Sequence, residues 1–365
     1  MTNNDNQTKL KACRDEIDAI DNQVLQLVSR RAALAREIGE LKDDGVIYRP
    51  EREAQVLRRL MGQNTGPLSG EAVANIFRSV MSNCRALEKE LSIAFLGPLG
   101  TYSEEAALKQ FGLGRTAVVC GSIDEVFRTL ESAQADYGIV PVENSTEGAV
   151  GLTLDLLLSS TLKICGEITL PVHHCLLSKQ TDITQISHVF SHSQSLSQCH
   201  EWLNKNLPNV MREAVSSNAR AAQMSHELVV ANGTFAAAIA SKRAAELFGL
   251  NVLAESIEDD PKNTTRFLVL SQHDVAPSGQ DKTSLVIATK NVPGAMLAVL
   301  EPLAQHDVSM TKLESRPSKI GMWEYVFFVD IEGHYLDEKV AKAIKTIEDK
   351  TSFVKILGSY PAAIT

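Results

Sequence analysis

Asn263-Thr264-Thr265-Arg266-Phe267 crowds an amide, two hydroxyls and a guanidinium between the acidic turn Glu258-Asp259-Asp260-Pro261 and the apolar run Phe267-Leu268-Val269-Leu270. Such a group suits an oxygen-rich anion, and the same residues also describe a capped turn that feeds a strand. Arg266 reads equally as a grip on a carboxylate or as half of a structural salt bridge. Two more polar segments follow apolar runs, Pro141-Val142-Glu143-Asn144-Ser145 and Ser191-His192-Ser193-Gln194. In α/β folds strand ends line the ligand cleft, so the three segments are candidates for one site.

A second cluster of cations lies near the start of the chain. Leu10, Ile17, Val24, Arg31 and Ile38 recur every seven residues, with Cys13, Ile20, Leu27, Leu34 and Leu41 as the matching set. This is one long amphipathic helix. From Leu10 to Lys42 it spans roughly 50 Å, longer than a 90-residue globule is wide, so it is expected to pack along a partner chain. Arg31 stands where the heptad asks for an apolar residue, and burying it unpaired would cost several kcal/mol. An anion site answers that demand. Lys42 lies about 20° away on the helical wheel and Arg14 about a quarter turn away. For Lys42 alone a solvated basic face would suffice. Two further helices are expected, near Pro50–Met61 and near Gly70–Leu91, with a turn at Gly62–Gly66 between them.

Composition bounds the remaining possibilities. The 365 residues predict two or three domains, and 44% hydrophobic with 22% charged is ordinary for a soluble protein. The net charge is -9, while residues 1–92 hold 14 basic and 14 acidic side chains; nucleic acid is not an expected partner. The six cysteines form no CxxC, and the polar N-terminus lacks the core of a signal peptide, so the expected location is cytoplasmic. No run of about 18 apolar residues predicts a membrane span. In His173-His174-Cys175 adjacent strand residues face opposite ways and no partner motif follows, so a structural role is expected and no metal. The glycines of Gly97-Pro98-Leu99-Gly100-Thr101-Tyr102-Ser103 match neither a dinucleotide fingerprint nor a phosphate-binding loop; no cofactor is implied.

The positioning elements follow in order. Strands are expected at Ile93–Leu96, Ala117–Cys120, Tyr137–Val140, Ile164–Leu177, His188–Ser191, Phe235–Ala240 and Phe267–Leu270, alternating with helices as an α/β unit of two lobes about a cleft. After a polar linker, Gln272–Lys282, come strand Ser284–Thr289, helix Ala295–Gln305, strands Val308–Ser315 and Glu324–Ile331, helix Asp337–Glu348 and strand Phe353–Tyr360. This is the α+β ferredoxin-like order. The chain is therefore expected to be multi-domain: an all-α unit at 1–92, an α/β unit at 93–272 and an α+β unit at 283–365.

Each unit resembles a known family. Arg14, Arg30-Arg31, Lys42 and Tyr48-Arg49-Pro50-Glu51-Arg52-Glu53, within Leu10 to Glu90, resemble the all-helical chorismate mutases, whose intertwined dimers use such helices. The resemblance implies that chorismate rearranges to prephenate, a pericyclic step catalysed by positioning and electrostatics. It implies Arg14 and Arg52 on the substrate carboxylates, Arg31 from the other protomer, Lys42 on the ether oxygen and Glu53 on the ring hydroxyl. Departures are Arg49 where an acid is usual, Cys84 for serine and Glu88 for glutamine. Glu88, placed in the third helix, would have to be protonated to donate to the ether oxygen.

The middle segments together resemble prephenate dehydratase, which implies loss of carbon dioxide and hydroxide from prephenate to give phenylpyruvate. The carried-over site residues are Asn144, Ser191, Gln198 and Thr265, with Arg266 as a further contact. Thr265 is assigned a hydrogen bond to the departing oxygen, because a threonine hydroxyl is too weak an acid to protonate it outright. Ser193 departs from a common proline. Pro293-Gly294-Ala295-Met296-Leu297 and Glu314-Ser315-Arg316-Pro317 resemble the ACT domain of phenylalanine-inhibited dehydratases; Gly294, Ala295, Met296, Leu297, Glu314, Ser315, Arg316 and Pro317 are the implied phenylalanine contacts, between two ACT modules. The expectation is a bifunctional enzyme of phenylalanine biosynthesis, a homodimer or higher, with chorismate and prephenate as substrates and phenylalanine as inhibitor. The alternative is a non-enzymatic small-molecule sensor.

Overall fold

The computed structural model describes residues 3–41, 46–227, 235–289, 292–317 and 325–364. The heptad run forms α1 (Asn3–Leu41). Its apolar stripe is uncovered within the chain: Leu10, Ile17, Val24, Leu27, Leu34 and Ile38 are each half exposed or more. The helices that follow are α2 (Pro50–Gln63) and α3 (Gly70–Ala86), and α1 packs on α3 through its C-terminal part, where residues 28, 31, 32, 35 and 39 are partly covered. There Gly39 is required, since a Cβ at that position would lie 2.9 Å from the Glu88 side chain.

The sequence expectation carried the third helix to Leu91, but α3 ends at Ala86 and Leu91 opens β1 (Leu91–Leu96). Tertiary pairing overrides helix propensity here. Leu91 is only 4% exposed and pairs in register with Arg115 of β2 (Arg115–Cys120). Glu88 is consequently corrected from the helix to the turn beyond it.

Between these strands lies α4 (Tyr102–Phe111), capped by the Thr101 hydroxyl. α5 (Ile123–Glu131), β3 (Tyr137–Asn144), the short β4 (Gly148–Ala149), α6 (Gly151–Ser159) and β5 (Lys163–Pro171) complete most of the first lobe. The long strand expected at Ile164–Leu177 is two strands in two sheets. Pro171 can donate nothing to a ladder, and the chain leaves β5 there through Val172-His173-His174 to β6 (Cys175–Ser178) of a second lobe.

That lobe adds β7 (Ile186–Ser191), α7 (Ser193–Gln198), α8 (His200–Asn206), β8 (Met211–Ala214), α9 (Asn218–Glu227), β9 (Phe235–Ala240), α10 (Lys242–Phe248) and β10 (Asn251–Ala254). The chain then returns to the first lobe as β11 (Thr264–Ser271). The sheet orders are β2-β1-β3-β11-β5 and β10-β6-β9-β7-β8. The two crossing segments run side by side, tied by Val172 N to Asn263 O at 2.9 Å and Ile257 N to His174 O at 3.0 Å.

The last unit realises the βαββαβ order as β12 (Asp281–Ala288), α11 (Leu297–Gln305), β13 (Met310–Pro317), β14 (Tyr325–Glu332), α12 (Glu338–Lys350) and β15 (Phe353–Pro361). Its sheet order is β13-β14-β12-β15. All three units are joined. Tyr48, 2% exposed, packs edge-on against Phe111 and Tyr137 at 5.0 and 5.2 Å. Arg58 of α2 donates to Ser278 Oγ at 2.9 Å and Gln280 O at 2.7 Å, and Arg78 of α3 donates to Ile364 O at 2.9 Å.

Candidate active sites and regulatory site

Between the two lobes of the central unit lies a cleft of about 240 Å³. Thr265, Asn144 and Gln198 line it, joined by Tyr102, His174 and Asn263. Thr265 and Asn144 are 121 residues apart and meet because β11 pairs antiparallel with β3, with Thr265 opposite Asn144. Beyond β3 the chain turns so that the backbone amides of Thr146 and Glu147 both donate to Asn144 Oδ1, at 3.1 and 3.3 Å. Those two donors fix the amide's orientation, because the opposite one would set N–H against N–H. Asn144 Nδ2 therefore faces Thr265 Oγ1 and Asn263 Oδ1, each at 2.9 Å. Since Thr265 Oγ1 accepts this bond, its own proton is left to be donated into the cleft. The Asn263 amide nitrogen is buried without a partner in the same wall and adds a second donor.

Arg266, one residue on, points to the opposite face of β11, as strand alternation requires. Its Nε lies 2.8 Å from Glu167, Nη1 2.7 Å from Asp330 and Nη2 3.0 Å from the Tyr360 hydroxyl. Burial works against its charge, but Tyr360, Asp330 and Glu167 outweigh that and keep it firmly protonated. The expected substrate contact at Arg266 is thus corrected to a bridge between the central unit and the last one. Ser191 is corrected too. It is fully buried, and its hydroxyl lies 2.8 Å from Ile239 O and 2.9 Å from Asn218 Oδ1. Asn218, not Ser191, lines the cleft. Ser193 opens α7, a position where proline is equally at home.

In the helical unit, Glu53 accepts a hydrogen bond from Arg85, whose guanidinium stacks over the Tyr48 ring at 4.9 Å. Burial pushes the Glu53 carboxyl above its usual range, opposed first by Arg85 and then by Arg31 and Arg78. Arg31 is therefore near enough to act on Glu53 within one chain. Arg14 and Arg52 are exposed, and Cys84 is buried in the last turn of α3, four residues before Glu88. Lys42 lies outside the described residues.

In the last unit Ala288 and Arg316 both pair with Val326, from opposite sides of β14. The chain leaving β12 toward Gly294–Leu297 and the end of β13 carrying Glu314–Pro317 thus share one end of the sheet, two strand spacings or about 10 Å apart. Gly294 has φ +80°, a conformation that favours glycine. Lys312 and Arg316 face the central unit, with Lys312 2.5 Å from Glu143 and Arg316 3.1 Å from Asp155. Gly151 leaves the space that the Arg316 guanidinium fills.

Sequence reasoning placed Asn263 in the candidate stretch but missed Tyr102, His174, Thr146 and Asn218. His174 carried a signal only as part of His173-His174-Cys175, and a buried His beside a chain crossing cannot be told from a core His by spacing. Among the described residues no group of His, Cys, Asp and Glu could hold a metal ion, and no helix is long and apolar enough to cross a membrane.

Comparisons with known proteins bear on all three units. The family model for prephenate dehydratase matches residues 93–275, that for chorismate mutase type II matches 13–89, and that for the ACT domain matches 283–349. A bifunctional chorismate mutase/prephenate dehydratase of Neisseria gonorrhoeae is 52% identical, covering 96% of each chain. One from Escherichia coli K12 is 34% identical over 97% of this chain and 96% of its own. The solved prephenate dehydratase of Arthrobacter aurescens in complex with L-Phe superposes with a TM-score of 0.67 at 32% identity, covering 74% of this chain and 90% of that chain.

Proposed function

The chain belongs to the bifunctional chorismate mutase/prephenate dehydratase family, and from that premise we propose how its residues divide the work. In the dehydratase step the carbon–carbon bond to the ring carboxylate breaks, its electron pair enters the ring, and the ring hydroxyl leaves as hydroxide as the ring becomes aromatic. Thr265 donates its free proton in a hydrogen bond to that leaving oxygen, and Asn144 holds Thr265 in the donating orientation. The observation that carries this role is the bond from Asn144 Nδ2 into Thr265 Oγ1, which leaves Thr265 as a donor facing the cleft. Gln198 and Asn263 supply further polar contacts in the same cleft.

The mutase site is built on α1, α2 and the end of α3. Arg31 serves the site of its own chain, as its influence on Glu53 favours. Arg14 lies about 25 Å further back along the same helix and serves the site of a second copy packed against the α1 stripe. This reverses the roles that the family resemblance gave the two arginines. Arg52, Glu53, Lys42, Cys84 and Glu88 complete that site, and the chain works as a dimer or larger in the cytoplasm.

Phenylalanine binds at Gly294–Leu297 and Glu314–Pro317 and inhibits the dehydratase. Two ion pairs support the coupling. Lys312 holds Glu143, which precedes Asn144, and Asp330 holds Arg266, which follows Thr265. The two neighbours of the Asn144–Thr265 pair are therefore both gripped by the ACT domain, so a ligand preferring one ACT arrangement shifts the pair.

The test is Thr265→Ala. Loss of one donor to developing charge lowers kcat by about 100-fold or more, with chorismate mutase activity unchanged and Thr265→Ser retaining most dehydratase activity. A fully active alanine variant would remove Thr265 from the chemistry.

A further inference from the structure

His174 sits in the outgoing chain crossing, and its ring spans the cleft's two walls. Nδ1 lies 2.9 Å from the Tyr102 hydroxyl on the first lobe, and Nε2 lies 3.0 Å from Gln198 Oε1 on the second. The return crossing braces it from behind: Glu258 accepts from the His174 backbone N–H at 2.8 Å and contacts His173 Nδ1 at 2.7 Å. The ring is buried, and burial holds its pKa below the usual histidine range, against Gln198 and Glu258, so one neutral tautomer must be chosen.

The hydrogen bonds choose it. Asn144 Oδ1 is an acceptor, fixed by the two backbone amides, and Thr146 Oγ1 lies 2.6 Å from it, so Thr146 must donate there. Thr146 Oγ1 then accepts from Gln198, 3.1 Å away, which sets Gln198 Nε2 toward Thr146 and Oε1 toward His174. Only a protonated Nε2 can face Oε1, which leaves Nδ1 as an acceptor that shares the single Tyr102 hydroxyl proton with the His173 carbonyl, 2.8 Å from the same oxygen. Every donor from His174 through Gln198, Thr146 and Asn144 to Thr265 points the same way, so the bonds polarise one another toward the cleft. The Gln198–Thr146 link is also a contact between the two lobes, so the chain is complete only when they are in register.

We propose that His174 is a positioning residue of the dehydratase, whose Nε2 proton orients Gln198 and, through Thr146 and Asn144, keeps the Thr265 hydroxyl aimed into the cleft. This rests on the proposed role of Thr265, and the test separates the two.

In the full-length chain, His174→Leu should lower dehydratase kcat by about tenfold, the worth of one ordinary hydrogen bond, with KM changed less than twofold. His174→Gln, which offers an amide N–H near the Nε2 position, should recover most of that loss. Because His174 acts through Gln198, adding Gln198→Ala to His174→Leu should be no worse than the poorer single variant. Multiplying losses, or a leucine variant as active as wild type, would overturn the proposal. Mutase activity reports folding throughout; if the leucine variant does not fold, the glutamine variant compared with Gln198→Ala decides, since glutamine no better than the Gln198→Ala loss also overturns it. If Thr265→Ala alone proves harmless, Thr265's role fails while the His174–Gln198 coupling is still read independently.

Discussion

Replacing Arg266 with leucine discriminates between the two roles its sequence allows. Were Arg266 holding a substrate carboxylate, its loss would cost about 2–5 kcal/mol of binding, lowering kcat/KM by roughly thirtyfold to several thousandfold. The structure predicts a different pattern. Arg266 contacts Glu167 at 2.8 Å, Asp330 at 2.7 Å and Tyr360 at 3.0 Å, on the face of β11 away from the cleft. After its removal Glu167 keeps Lys282 at 2.8 Å and the Ala363 amide at 3.1 Å. Asp330 keeps the Ser284 hydroxyl at 2.6 Å and, among the described residues, no other cation. One largely buried carboxylate is left unpaired, which costs about 3–5 kcal/mol. The expected outcome is that stability loss in urea unfolding, dehydratase kcat/KM within about threefold of wild type at low temperature, and weakened inhibition by phenylalanine. Asp330→Asn combined with Arg266→Leu should recover a large part of the loss, because the orphaned charge is gone. A fall in kcat/KM beyond thirtyfold with unchanged stability would refute the reasoning and return Arg266 to the substrate.

Three further outcomes follow from the same geometry. Burial raises the Glu105 carboxyl above its ordinary value, so its contribution to stability is present below about pH 4.3 and is lost as pH rises through the raised pKa; Glu105→Gln should flatten stability against pH across that window, and parallel curves would contradict it. Cys13 is exposed on the apolar stripe of α1 while the other five cysteines are buried, with Cys165 pushed up to about 12 by burial. At pH 8 a thiol reagent should therefore modify one cysteine in dilute monomer and none in the dimer, and equal labelling of Cys13 at all concentrations would place the partner elsewhere. Ending the chain after Tyr360 removes the Ile364 carbonyl from Arg78 and the Ala363 amide from Glu167, so backbone hydrogen exchange in α2 and α3 should quicken. Unchanged exchange would make the tail dispensable for that junction.

Local pattern was enough to read the α1 heptad, the βαββαβ order of the last unit and the polar strand ends, because periodicity and turn chemistry act over a few neighbouring residues. The resemblance to prephenate dehydratase, rather than local pattern, brought Asn144, Gln198 and Thr265 into one list. Which side of a strand meets which neighbour was not readable. Alternation says that Thr265 and Arg266 oppose each other, but only the docking of the ACT sheet on one face decides that Thr265 has the cleft and Arg266 has Asp330. Ser191 was lost to the core for the same reason, since β9 lies against it and takes its hydroxyl. α3 was overrun because Leu91 gains more from pairing in β1 than from another helical residue. His174 was set aside because its partners, Tyr102, Gln198 and Glu258, lie 72, 24 and 84 residues away. A hydrogen-bond chain that fixes a tautomer exists only where such distant segments cross, and the crossing is set by the two sheets packing rather than by any stretch of the sequence.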